Sequence, residues 1–229
     1  MTVDLKEIEK RISKEWLNAF PELSAYTQSK LYKIAGCCII GIELIKLPRV
    51  EDYRPHFVVY PLWKADLNDC LNSPVILLEV LNKKGLQFSI PYAKHSNYLN
   101  EAVECFKKQI PFSMNGDVTL KSLFDLVNSL FNDILVKSNP REQAKLFELK
   151  FYVALYIDDK NQIRNVINQI QKESKSWNMQ MFEMWYGKFD LWLQSFEENI
   201  SRRNELIKQI ANNKQHKKID QLKCSELIM

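Results

Sequence analysis

At the front of the chain, the apolar residues have the spacing of a helix. Over residues 5–20 they recur every three or four positions, which predicts an amphipathic helix with its charged residues on the opposite face. Asp4 and Glu7 have the spacing of a capping box at its start, and Pro21 ends it. Residues 22–30 are expected to form a second short helix or a turn.

From residue 31 the pattern becomes that of strands. Residues 31–47 and 56–63 are rich in aliphatic, β-branched and aromatic side chains, and the loop between them predicts an antiparallel hairpin. Residues 74–81 and 86–92 form a second such pair, joined by a short polar turn that ends in Gly85. Glycine suits the left-handed position of a bulged hairpin. The pattern therefore predicts about four antiparallel strands.

After these strands the apolar spacing is helical almost to the end of the chain. Seven of the eight prolines precede residue 117, so helix breakers are scarce in the back half. Asn139 and Asp159 stand where N-caps are expected. Short segments resemble one another at separations of 35 and 40 residues, which suits either a repeat of helix pairs or two hairpins of similar composition. Helices are predicted over residues 97–109, 118–137, 140–157, 159–175, 178–194 and 198–211.

These elements predict an α+β protein. A small antiparallel sheet with flanking helices is followed by an all-helical half of helical hairpins. The expected regions are 1–117 for the α+β part, 118–212 for the helices packed on it, and 213–229 for a basic, flexible tail. Because no linker rich in Gly, Ser or Pro separates the first two, we expect one continuous body, with a binding surface where front and back meet.

Composition and charge restrict the class of protein only mildly. A hydrophobic content of 46% with 26% charged residues is typical of a globular protein. The longest apolar run, residues 34–42, is shorter than the roughly 20 residues of a membrane span. Since residues 1–10 carry acidic side chains where a signal peptide is apolar, we expect a cytoplasmic protein. The five cysteines have no C-x-x-C spacing and are expected to be reduced.

The sequence contains no recognised catalytic motif, and its three histidines lie in different segments. We therefore expect a non-enzymatic protein without cofactor or metal site. One catalytic alternative stays open. Cys37 or Cys38 would meet His56 across the first hairpin as a thiolate–imidazole pair, with Arg54 nearby.

Aromatic and basic residues mark the main candidate for a binding surface. Tyr, Trp and Arg dominate binding hot spots because they bring a large contact area at a low entropic cost. The alternative, which the helical spacing of the aromatic group around Trp185 favours, is that these rings fill the core. The candidate partner contacts are Tyr53, Arg54, His56, Trp63 and Trp185.

We therefore expect a protein that binds or regulates another protein, such as a bacterial immunity-type or defence-associated factor. A different function is suggested by the excess of basic residues, 32 against 28 acidic ones, most of which falls near the C-terminus. Clustered lysines bind phosphate backbones, so nucleic-acid binding is the alternative. The lysines that would carry it are Lys208, Lys214, Lys217, Lys218 and Lys223.

Overall fold

The computed structural model describes residues 5–229, and for Leu5 the backbone alone. Asp4, the predicted N-cap of the first helix, lies outside the described residues. The fold is α+β as predicted, with an antiparallel sheet in the N-terminal half and a mostly helical C-terminal half. The helices are α1 (Leu5–Ala19), α2 (Leu67–Asn72), α3 (His95–Gln109), α4 (Leu120–Leu130), α5 (Ile134–Lys137), α6 (Pro140–Tyr156), α7 (Lys160–Glu173), α8 (Met179–Tyr186), α9 (Phe189–Ser201) and α10 (Arg203–Lys214).

The sheet has five strands in sequence order, each antiparallel to the next. They are β1 (Ser24–Thr27), β2 (Lys30–Ala35), β3 (Cys38–Lys46), β4 (Asp52–Pro61) and β5 (Ile76–Glu79). Four shorter strands complete the pairing: β6 (Ile90–Pro91) along β4, β8 (Cys224–Ser225) along β2, and β7 (Val118–Thr119) with β9 (Leu227–Ile228).

The front half differs from the prediction in two places. Residues 24–27 form β1 instead of a short helix or turn, because their side chains alternate between half-buried and exposed, as on an edge strand. The predicted second hairpin is also wrong. β5 and β6 both pair with β4, and only a single bridge, Leu81 to Gln87, joins the two predicted partners. β4 is long enough to bind β5 and β6 at different positions along one edge.

In the back half the helix ends follow the local capping chemistry. Asn139 and Asp159 cap α6 and α7 as predicted, each accepting two backbone N–H groups. The helix predicted over 118–137 is divided, since Asp133 caps a new short helix by accepting from the N–H of Leu135. The helix predicted over 178–194 is divided at Gly187, whose φ of 75° is accessible to glycine without strain.

A continuous core joins the two halves. On one face of the sheet Phe57 packs edge-on against Phe106 and Phe112, with ring centroids 6.1 and 5.8 Å apart. At the end of β4, Trp63 stacks on Tyr152 of α6 at 4.9 Å. α6 is buried along most of its length and packs against α4, α5, α7, α8 and α10. The helical half is therefore built around α6 and is attached to the sheet through it.

The last residues of the chain pack on the body, which corrects the expectation of a flexible tail. Asn213 donates to the carbonyls of Leu62 and Lys64, each at 2.9 Å, and Ile219 is fully buried. β8 then pairs in parallel with β2 at the residues that β1 leaves free. The physical reason is that apolar residues of this segment, such as Ile219 and Leu222, are buried, while its backbone accepts from the N–H groups of Ile34 and Gly36 at the open edge of β2. The boundaries at residues 117 and 212 stay predictions.

Candidate binding surface

Two of the aromatic residues predicted as partner contacts lie in the core. Tyr53 is fully buried, and its hydroxyl accepts from Trp16 Nε1 at 3.1 Å and lies 2.6 Å from His95 Nδ1. Trp63 is 7% exposed and stacks on Tyr152. Neither ring is accessible to a partner, because β4 is an interior strand and helices cover both positions. For these two residues the core alternative is the one that the structure supports.

Arg54 and His56 lie on the opposite face of the sheet from Tyr53, as the alternation of a strand requires. Both approach the carboxylate of Glu79 on β5, with Arg54 Nη1 at 3.9 Å and His56 Nε2 at 3.6 Å. His56 is buried and Arg54 is half-buried. His56 is therefore also unavailable to a partner, while Arg54 is partly accessible beside a carboxylate.

A buried carboxylate that the sequence analysis missed lies next to this pair. Glu43 is opposite His56 in the register of β3 and β4, and it accepts from the hydroxyls of Tyr32 and Tyr60, the latter at 2.8 Å. Lys30 Nζ lies 3.3 Å away and balances its charge. Burial, then the hydrogen bonds to Glu43, raise the pKa of both tyrosines, so they remain donors at neutral pH. This cluster ties three strands together, and two of its members, Lys30 and Glu43, line a cavity of about 700 Å³.

A second buried polar network ties the helices of the front half to the sheet. Tyr53 links Trp16 of α1 to His95 of α3. His95 Nε2 lies 3.0 Å from a carboxylate oxygen of Glu15, as an electrostatic contact without the alignment of a hydrogen bond. Burial lowers the pKa of His95 and Glu15 opposes this effect, so the net direction is downward. A neutral imidazole whose Nδ1 accepts from the Tyr53 hydroxyl fits that environment.

The cysteine–histidine pair of the catalytic alternative is not formed. Cys38 is opposite Pro61, five residues beyond His56 along β4 and so about 17 Å away at the usual rise of a strand. Cys37 and Cys38 are both buried, and the pKa of Cys38 is raised by its hydrogen bond with Cys37 and by burial. A thiolate is thus disfavoured at the position where the alternative needs one.

The lysines of the nucleic-acid alternative are distributed over several elements. Lys214 is half-buried and the other four are exposed. Three of the five donate to acceptors elsewhere in the fold: Lys214 to Tyr156, Lys218 to Asn68 and Lys223 to Pro21. Nucleic-acid binding through these five residues stays a prediction.

Trp185 is the one predicted partner contact that faces solvent. It is 55% exposed on α8, beside Met184, which is 74% exposed. The guanidinium of Arg141, in the first turn of α6, lies over its indole ring with Cζ 3.6 Å from the centroid. Of the other large aromatic residues of α8 and α9, Phe182, Trp192 and Phe196 are buried in the helical core, and Tyr186 and Phe189 are half-buried. The stacked Arg141 therefore holds the one outward-facing tryptophan of this cluster in place.

The short helix α5, which ends three residues before α6 begins, presents two further apolar side chains. Ile134 and Leu135 are 79% and 74% exposed. The backbone of α5 is held by α6, because Gln143 Nε2 donates to the carbonyls of Val136 and Lys137 at 3.1 and 2.8 Å. Trp177 Nε1 donates in turn to Gln143 Oε1 at 2.9 Å.

We use the term α5/α8 surface for the exposed apolar residues of these two helices together with the arginine that stacks on Trp185. Its members are Ile134, Leu135, Arg141, Met184 and Trp185. Trp185 was predicted as a partner contact because tryptophan is common in binding hot spots. Ile134 and Leu135 were hidden in the apolar pattern of the predicted helix 118–137, where they counted as core.

Comparisons with protein-family models, with curated proteins and with solved structures found no match for this chain. Over residues 5–229 the structure contains no group of three or more His, Cys, Asp or Glu side chains that would hold a metal ion. In the same part of the chain, none of the helices has the length and apolar character needed to cross a membrane.

Proposed function

We propose that this protein is a non-enzymatic binding protein that engages another protein through the α5/α8 surface. The observation that carries the proposal is the exposure of Met184 and Trp185 on α8, with Arg141 stacked on the tryptophan, together with the exposure of Ile134 and Leu135 on α5, the helix that precedes α6. Exposed apolar residues are ordinary when scattered, whereas a group of them beside Trp and Arg is typical of an interface. A regulatory or immunity-type role would be one use of such binding.

The charge around the surface indicates the chemistry of the partner. Arg141 has one weak ion pair, to Glu142 at 4.0 Å, and that carboxylate is already bound by Lys145 at 2.9 Å. The guanidinium edge is therefore available to a bidentate carboxylate. We infer a partner segment that combines an apolar side chain for Trp185 and Leu135 with an Asp or Glu for Arg141.

The surface is also held in a fixed shape, which lowers the entropic cost of binding. Arg141 restrains Trp185 by stacking on its ring. The helix α5 is held at its N-terminus by the Asp133 cap and near its C-terminus by the hydrogen bond from Gln143 to the Val136 carbonyl. Side chains that are ordered before association lose less freedom in the complex.

The test compares which proteins the wild type and a surface variant capture from a lysate of the source cells. The surface variant combines Trp185→Ala with Leu135→Ser, and the control is Leu86→Ser, an equally exposed residue of the front half. A partner of this surface should be captured about 30-fold less by the double variant, the effect of losing about 2 kcal/mol at a hot spot, and should be retained by the control. Circular dichroism confirms that both variants are folded. A set of captured proteins that is identical for wild type and double variant would show that the surface is not used.

A further inference from the structure

The helical half buries a lysine that has no carboxylate partner among the described residues. Lys150 of α6 is 3% exposed and donates to Asn128 Oδ1 of α4 at 3.0 Å and to Gln169 Oε1 of α7 at 2.7 Å. Its ammonium also lies 5.2 Å from the ring centroid of Phe124. Burial lowers the pKa of Lys150, and no nearby anion opposes that effect. Its charge is thus balanced only by neutral dipoles and a ring face.

Such a residue is costly, because a buried charge without a counter-ion is destabilising and an apolar side chain of similar volume would fill the same space. Dipoles of two amides reduce this cost without neutralising the charge. An anionic ligand close to the ammonium would offset the remaining cost.

The ammonium also determines the orientation of the two amides. An ammonium only donates, so the oxygen atoms of Asn128 and Gln169 must face Lys150 and their NH₂ groups must point away from it. Within residues 5–229 neither of these NH₂ groups donates to a protein acceptor. Asn128 and Gln169 are both exposed, so one buried cation orients two solvent-accessible donor groups that have no acceptor among the described residues.

Both amides line a cavity of about 470 Å³ between α4, α6 and α7. Phe147, one helical turn before Lys150, contributes to its wall. The cavity is large enough for a small organic ligand.

The remaining charged side chains of the cavity are mostly basic. Lys137 and Lys172 line it, with Glu173 as the single carboxylate among its lining residues, all of which are described. The lining residues therefore carry a net charge of +1, and Lys150, which is not among them but is bound to the two lining amides, adds a further positive charge nearby. The cavity therefore presents a positive potential and oriented N–H donors to the same ligand group.

We propose that this cavity binds a small ligand that carries an oxyanion, with the NH₂ groups of Asn128 and Gln169 as donors and Lys150 as the buried counter-charge. A carboxylate and a phosphate ester share this chemistry. The site is separate from the proposed protein-binding role, and the residues that test it lie outside the α5/α8 surface.

The experiment measures binding of inorganic phosphate and of citrate by isothermal titration calorimetry, at pH 7 and with ionic strength held constant by NaCl. Wild type should show saturable binding of at least one anion, phosphate indicating a phosphate ligand and citrate a carboxylate. Lys150→Met should weaken that binding at least tenfold. Lys121→Met, at an exposed lysine of the same half, should leave it unchanged.

Asn128→Asp serves as a second variant that does not depend on removing the lysine. It keeps an oxygen acceptor for Lys150 and replaces the free NH₂ group by a second carboxylate oxygen, which neutralises the cation and repels an anion. We expect at least tenfold weaker binding with an unchanged circular dichroism spectrum. No saturable binding of either anion by wild type, or equal binding by wild type and Asn128→Asp, would overturn the proposal.

Discussion

Replacing Trp63 or Trp185 by alanine should separate a core position from a surface position. Trp63 is 7% exposed and stacked on Tyr152, and truncation of a buried Trp to Ala costs about 3–5 kcal/mol. The buried Nε1 of Trp63 has no hydrogen-bond partner within the described residues, and an unsatisfied donor of this kind costs about 1–3 kcal/mol in the native state. Because alanine removes that donor too, we expect Trp63→Ala to lower the free energy of unfolding by about 3 kcal/mol, the lower end of the range.

Trp63→Phe refines this expectation. It retains most of the stacked ring and removes the unpaired N–H, so the two effects oppose each other and the net change should stay within about 1 kcal/mol. Trp185→Ala loses an exposed ring and its contact with Arg141, which is worth about 0.5–1 kcal/mol. The order of destabilisation is therefore Trp63→Ala well above the other two.

The assay is urea denaturation followed by far-UV circular dichroism, which does not depend on the tryptophan that is removed, with the slope m compared between variants. A cost below about 1 kcal/mol for Trp63→Ala, or equal costs for Trp63→Ala and Trp185→Ala, would refute the assignment of Trp63 to the core and Trp185 to the surface.

Two further predictions concern the front half. The pKa of His95 is lower in the folded protein than its unfolded value of about 6.5. The stability that the neutral imidazole provides should therefore be complete above about pH 6.5. It should be lost as the pH falls from about 6.5 towards the lowered pKa of the folded state. His95→Gln should flatten this part of the curve of unfolding free energy against pH, and an unchanged slope would count against the network with Tyr53 and Glu15. Gly41→Ala should cost about 3 kcal/mol or more in urea denaturation, since its Cβ would meet the Leu31 carbonyl oxygen at 2.0 Å. A cost of about 1 kcal/mol or less, or the gain of about 0.4–1 kcal/mol that an unstrained glycine-to-alanine change brings, would contradict the close approach.

Local chemistry allowed the helical half to be predicted well. Asn139 and Asp159 cap their helices as expected, because an N-cap depends on a side chain and the two or three N–H groups that follow it. The division of the helix 118–137 is equally local, and Asp133 is its signal. Two apolar residues, Ile134 and Leu135, follow this cap and continue the apolar spacing of the predicted helix. That spacing is the same whether the helical turn is buried or exposed, so it did not reveal the break.

The strand pairing and the core assignment of β4 depended on information that is not local. Tyr53 and Arg54 alternate between the two faces of the sheet, but the central part of β4 is buried on both faces, so the polarity of its residues does not identify an exposed face. The position of β8 beside β2 depends on a contact between segments nearly 190 residues apart, as Ile34 and Cys224 show. No spacing along the chain encodes such a pair.

Buried charges were the feature that sequence patterns could least predict, since lysine and glutamate are counted as exposed. Glu43 is balanced by Lys30 at 3.3 Å and by two tyrosine hydroxyls. Lys33 donates to the carbonyls of Met114 and Gly116, each at 2.7 Å, and the carboxylates of Glu22 and Asp117 partly offset the burial that lowers its pKa.

Lys150 differs from both, because burial alone acts on its pKa and no described carboxylate approaches it. The two balanced charges hold the sheet and its connections together, a role that needs no additional group. Lys150 performs a similar structural task by joining Asn128 and Gln169. What the ammonium adds is a positive charge beside a cavity and a fixed direction for two donor groups, and both of these properties favour an anion over any neutral occupant.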